Sequence, residues 1–165
     1  MTLSDDRTRT ISWQDPAIAV EAARGRSGLE LMQALAAGEF PPPPITQTLG
    51  FRLASVEAGH VVVELDPGEH LYNPIGSVHG GAYATLLDSA CGCAVHTMLP
   101  EGVGYTSLDL SVKFLGTIRS DTGTVSCTGK VTHLGRKTAL AEATLTSHDG
   151  RLLATATSSC LILRP

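Results

Sequence analysis

Between residues 73 and 88 the chain reads NPIGSVHGGAYATLLD, and Asn73, His79, Gly80, Gly81 and Asp88 stand out as residues able to do chemistry together. Gly80 and Gly81 fall where the pattern turns from loop to helix. The first N–H groups of a helix have no partner inside it, and the positive end of the helix dipole lies behind them. Glycine lets a ligand approach that backbone closely, so this helix end suits a developing negative charge. Asp88 lies on the same helix with Thr85 and Gly92, off the apolar stripe. A partly desolvated carboxylate there is suited to act as a general base or a nucleophile. Plainer readings stand beside these. The glycines would also serve close packing of helix on sheet, Asp88 would be a solvated helix acid, and Asn73 would form the turn before Pro74.

Geometry constrains how these residues can cooperate. Eight residues from Gly80 to Asp88 span about 12 Å along a helix axis. A donor and an acid that far apart cannot touch one reacting group. Two such helices packed antiparallel across a two-fold axis would set Gly80 of one chain against Asp88 of the other. The spacing therefore predicts an obligate homodimer with two shared sites, joined by the commonest kind of symmetric contact.

The elements that must position this stretch follow from periodicity. Residues 16–37 predict a helical arm in two pieces, broken near Gly25 to Gly28, with an apolar stripe of Leu29, Met32, Leu35 and Ala36. Pro41 to Pro44 predict a stiff polyproline spacer, which joins an arm over 1–44 to a body over 45–165. Residues 51–58 and 60–66 read as paired strands turning at Ala58-Gly59, and Asp66-Pro67-Gly68 stops the second. From Gly80 to about Leu99, Tyr83, Leu86, Leu87, Ala90, Ala94 and Met98 recur at helical spacing, up to Pro100. Residues 104–115, 122–134, 137–148 and 151–163 read as strands, with Asp149-Gly150 a hairpin turn. Short turns imply an antiparallel sheet. One helix cannot cover six flat strands, so the sheet should curl around it, in an α+β fold.

Composition narrows the function classes. With 165 residues, 42% apolar and 17% charged, the chain has the make-up of a globular domain with a sizeable core. A net charge of -4 without a Lys/Arg run argues against nucleic acid as a partner. No apolar run reaches the roughly 18 residues of a membrane span. The polar start, with Asp5 and Asp6, does not read as a secretory signal, and residues 1–12 are expected to be loosely held. Cys91, Cys93, Cys127 and Cys160 lack zinc-pair spacing and read as reduced, mostly buried thiols of a cytoplasmic protein, with no metal and no cofactor implied.

Asn73, then His79-Gly80-Gly81 six residues on, then Asp88 nine after the histidine, resembles the hotdog-fold acyl-CoA thioesterases of the phenylacetic-acid-degradation (PaaI-like) type. The closing VTHLGRKTALAEATLTSHDGRLLATATSSCLI is similar to that family's last strands, so the likeness spans about residues 45–163. It implies a curved antiparallel sheet around a central helix, dimers that pair into tetramers, and hydrolysis of an aromatic or medium-chain acyl-CoA, with coenzyme A part of the substrate.

The resemblance also implies roles. The N–H of Gly80 becomes the oxyanion donor, with Gly81 beside the substrate, and Asp88 of the partner subunit the base or nucleophile. Asn73 would orient the water or Asp88. His79 would hold the loop or line the pocket rather than move a proton. Ser107 aligns with an assisting serine of some relatives, and is otherwise a strand residue facing solvent. Where some relatives carry a threonine one turn after the acid, this chain has Gly92. The turn at His133, Gly135, Arg136 and Lys137 offers two cations and flexible N–H groups suited to the phosphates of coenzyme A, or is a basic hairpin turn only, with Arg119 a weaker candidate. Two other classes compete: a non-catalytic acyl-CoA-binding regulator and a hotdog enoyl-CoA hydratase or dehydratase. The arm, with six acids and four arginines over residues 1–40, lacks the basic recognition helix of a DNA-binding regulator.

Overall fold

A computed structural model describes residues 6–165. A six-stranded antiparallel sheet runs β1 (Phe51–Glu57), β2 (His60–Leu65), β4 (Val125–Leu134), β5 (Thr138–Ser147), β6 (Leu152–Leu163), β3 (Gly104–Phe114) in spatial order. β3 is thus an edge strand, far from its sequence neighbour β2. The helix α4 (Gly80–Thr97) lies in the concave face. This is the curved sheet around a long central helix expected from the sequence, and it is the hotdog fold.

The core explains the curl. Strand alternation sends Val61, Val63, Leu65, Val125, Cys127, Leu145 and Leu153 inward, each almost fully buried. The helix meets them with Leu86, Leu87, Ala90 and Ala94. Small residues bring the layers close: a Cβ at Gly129 would stand 2.1 Å from the Ala90 carbonyl oxygen, so only glycine fits under the helix there. Met98 departs from the expected stripe. It is the C-cap of α4, it is 39% exposed, and its sulfur rests beside Gly59 at the β1–β2 turn.

The arm contains α1 (Ala17–Ala22) and α2 (Gly28–Ala36), as the break near Gly25 to Gly28 predicts. Ser27 and Glu30 form a capping box that starts α2. Its buried face is Gly28, Leu31, Met32 and Ala34, not the expected stripe of Leu29, Met32, Leu35 and Ala36. The cause is at Gly28, whose missing side chain lets α2 press on the His96 carbonyl, where a Cβ would stand at 1.8 Å. That contact fixes the rotation of α2.

Two further corrections concern the arm. Pro41 to Pro44 is not all spacer: Pro43 is extended, but Pro44 opens a short helix, α3 (Pro44–Leu49), closed by Gly50 at φ 85°. Proline suits the first helical position because the N–H it lacks would have no partner there. The start of the chain is held rather than loose over its described part. Arg9 donates to the carbonyls of Thr48 and Gln47, and Arg7 pairs with Glu69. Residues 1–5 of that expectation lie outside the described residues. Among the described residues no helix is long and apolar enough to cross a membrane.

Candidate active site

The loop before α4 is pinned from several sides. Asn73 Oδ1 accepts from the N–H of Ile75 at 3.0 Å and of Ser77 at 3.4 Å, and its Nδ2 donates to Ser77 Oγ at 3.2 Å. Asn73 therefore builds the turn, and one of its amide hydrogens is spent inside it. The His79 N–H donates to the Leu71 carbonyl, and that of Val78 to Ile118. Tyr83 locks the neighbouring segment: its hydroxyl donates to the Gly116 carbonyl and accepts from the Ile118 N–H.

His79 is the N-cap of α4, and its Nδ1 accepts from the Gly81 N–H at 2.9 Å. The Ala82 N–H donates to the His79 carbonyl. Of the first three helical N–H groups, then, only that of Gly80 has no partner among the described residues. No acid lies in the first turn to offset the dipole's positive end. Phe114 packs over this point, with its ring 3.2 Å from where a Gly80 Cβ would be and edge-on to Tyr83 at 5.6 Å. The helix end is thus held in place with the Gly80 N–H left without a partner among the described residues.

Asp88 sits two turns on and is half-buried. The Ser107 hydroxyl donates to its Oδ1 at 2.9 Å, and no other hydrogen bond reaches the carboxylate among the described residues. This pairing depends on an irregularity. The β3–β6 register slips between Ser107 and Asp109, so Leu108 is the extra residue of a β-bulge. The bulge leaves Leu108 57% exposed while Ser107 keeps its place facing α4. Ser107 is the hydrogen-bond partner of Asp88 and is at the same time an exposed strand residue. An open groove of about 520 Å³ runs along this seam, between Ala84, Thr85 and Asp88 of α4 and Ser107 to Leu110 of β3, with Ile45 of α3 beside it. Its size is that of small-molecule sites.

Within one chain the predicted residues divide into three places. Asn73, His79, Gly80 and Gly81 share the start of α4; Asp88 and Ser107 share its middle; His133, Gly135, Arg136 and Lys137 lie at the β4–β5 turn, beyond the other end of α4. That turn is near the helix end because the Val131 N–H donates to Gly59, whose N–H donates to Thr97 Oγ1. The fold does not bring these groups together in a single subunit, and α4 is unbroken between Gly80 and Asp88.

A larger hollow, about 600 Å³, lies between the arm and residues 100–104. Its charged groups are committed elsewhere: Arg24 pairs with Glu21, Arg26 with Glu39, and Glu101 accepts from the Gly25 N–H. Size is a poorer guide here than an acid beside a free edge. The cysteines offer no nucleophile, since burial pushes the thiols of Cys91 and Cys93 up to about 12 and keeps them protonated. The sequence reading passed over Tyr105. It stands two residues before Ser107, so it faces α4, and its hydroxyl stands 2.5 Å from where a Gly92 side chain would begin. Strand alternation from Ser107 carried that signal.

Known proteins resemble this chain in sequence and in fold. Residues 75–154 match the model of the thioesterase superfamily. A 1,4-dihydroxy-2-naphthoyl-CoA hydrolase of Listeria monocytogenes is 29% identical over 110 residues, which cover 66% of this chain and 87% of that protein. A thioesterase-like, phenylacetic acid degradation-related protein of Ralstonia eutropha is 28% identical, with a TM-score of 0.71 over 79% of this chain and 98% of that one. A Streptococcus mutans protein whose crystal structure holds acetyl-CoA is 28% identical, with a TM-score of 0.63 over 70% and 91% of the two chains.

Proposed function

We propose that this chain, which has the hotdog fold and matches the thioesterase superfamily over residues 75–154, hydrolyses an acyl-CoA to the free acid and coenzyme A at two sites shared across a homodimer. The observation that carries this is the N–H of Gly80, without a partner among the described residues, set about 12 Å along one helix from a serine-held carboxylate. One chain holds two halves of a site that only a second chain can join. The edge strand β3 supplies the contact: its inner face carries Ser107, its bulge exposes Leu108, and Phe114 and Leu115 are more than half exposed. An unpaired edge of this kind is otherwise an aggregation hazard. Two such dimers pair into a tetramer.

In this reading the thioester oxygen accepts from the Gly80 N–H, and Asp88 of the partner subunit is a general base. A water oxygen bonds to the carbonyl carbon while its proton passes to the carboxylate. The C–S bond then breaks and the thiolate of coenzyme A takes that proton. The dipole and the N–H act where charge develops, which is where such groups lower a barrier most. Asn73 and His79 hold the donor loop, and Ser107 holds the base. The substrate stretches from the groove toward the β4–β5 turn. There Arg136 and Lys137, with His133 and Gly135, supply cations and backbone N–H groups for the phosphates. The groove's volume and the aromatic acyl group named for the Listeria relative support an aromatic or medium-chain acyl group.

The test is release of free thiol from a panel of short, medium and aromatic acyl-CoAs. Turnover of at least one is expected. Tight binding of the panel without thiol release would leave a binding protein, and hydration of an enoyl-CoA without thiol release a hydratase.

A further inference from the structure

The end of β6 lies beside the β4–β5 turn. Leu163, its last residue, still pairs with Gly104 of β3, and the Ile162 N–H donates to the Lys137 carbonyl at 2.8 Å. The backbone is therefore held up to Arg164. From there the Arg164 side chain turns back, and its Nε donates to the Arg136 carbonyl at 3.4 Å. That bond leaves both Nη groups of the guanidinium without a partner among the described residues. The turn closes between Gly135 and Thr138, so Arg136 and Lys137 stand at its tip. Their own N–H groups have no partner among the described residues either.

Arg136, Lys137 and Arg164 thus form one exposed basic patch. None of them is in an ion pair among the described residues, whereas Arg7, Arg24, Arg26 and Arg52 all are. Residues 133–137 and 162–165 contain no acid. Like charges gathered this way repel one another, and a bound anion offsets that cost. A guanidinium fork beside free backbone N–H groups suits a phosphate in particular.

We propose that Arg164 is a third cation of the coenzyme A site and that, with Arg136 and Lys137, it selects thioesters whose thiol component carries phosphates. Coenzyme A ends in a pyrophosphate and a phosphate monoester, whereas pantetheine carries neither. Arg164 acts on binding and leaves the chemistry at Asp88 unchanged. This rests on the reading of the substrate as an acyl-CoA.

The variant Arg164→Gln keeps a side chain able to donate to the Arg136 carbonyl and removes the charge. With the acyl-CoA turned over fastest, KM is expected to rise about 5- to 10-fold, as for one lost charge-assisted contact at an exposed site, with kcat within about 2-fold. With the same acyl group on pantetheine, KM is expected to stay at the wild-type value. Arg164→Lys keeps the charge without the fork and is expected to recover part of the loss on acyl-CoA. A wild-type KM for acyl-CoA in Arg164→Gln overturns the proposal. An equal rise on acyl-CoA and acyl-pantetheine overturns it as well, since it would mark a general disturbance of the site. Absence of thiol release from every acyl-CoA by the wild-type chain would instead remove the thioesterase reading beneath it.

Discussion

Ser107 Oγ donates to Asp88 Oδ1 across 2.9 Å, tying the edge strand β3 to the middle of the central helix. This one bond turns an acid of a half-buried helix face into a group with a fixed direction. One oxygen is engaged, and the other has no hydrogen-bond partner among the described residues.

Asp88→Asn keeps the shape and removes the base. Thiol release is expected to fall by about 100-fold or more, the usual size of a lost general base. Ser107→Ala is expected to cost about 10-fold, since a hydrogen bond to a charged group is worth about 1.5–3 kcal/mol and water replaces part of it. Steady-state rates, with circular dichroism and size measurement on each variant, check both values.

Gly80→Pro removes the oxyanion donor at a position where the helix accepts proline, and Gly80→Ala, which adds the same Cβ 3.2 Å from the Phe114 ring but keeps the N–H, separates the lost donor from that contact. Proline is tolerated at the first helical position, and the extended ψ of 139° at His79 is one that a following proline accepts. The variant is expected to lower kcat about 100- to 1,000-fold, the cost of one lost oxyanion-hole donor. A small change in kcat would place the donor elsewhere.

His79 is a cap in this account and not a proton carrier. His79→Ala is expected to cost about 1 kcal/mol in urea unfolding. His79→Asn restores a capping side chain with no proton to give, and is expected to keep most of the stability and of kcat. Loss of kcat in a stable His79→Asn protein would assign the ring a chemical role.

Burial holds His96, between Gly28 and Tyr105, below its ordinary 6.5. As pH drops through about 6.5 the unfolded chain binds a proton that the fold refuses, so stability falls below that point and is level in this respect above it. Chemical unfolding from pH 5 to 8 should show the slope, and His96→Gln should flatten it.

The sheet and α4 were legible because their apolar periods of two and near four are long and uninterrupted. α3 was not, because four successive prolines read as a spacer until one takes the first turn of a helix. The buried face of α2 was misjudged because apolar spacing allowed two rotations, and backbone contact at Gly28 selects one. The separation of Gly80 and Asp88 along α4 could be read from helix geometry. The Ser107 contact needed the bulge at Leu108, which strict alternation does not encode.

The shared site is tested most directly by complementation. Gly80→Pro and Asp88→Asn chains, each nearly inactive alone, are unfolded, mixed in equal amounts and refolded together. A mixed dimer then carries one site with both defects and one with neither. With random pairing half the dimers are mixed, so activity should recover to about a quarter of wild type. If Gly80 and Asp88 served the same site within one subunit, every site in the mixture would carry a defect. Activity would then stay at the level of the separate variants, and that result would contradict the account.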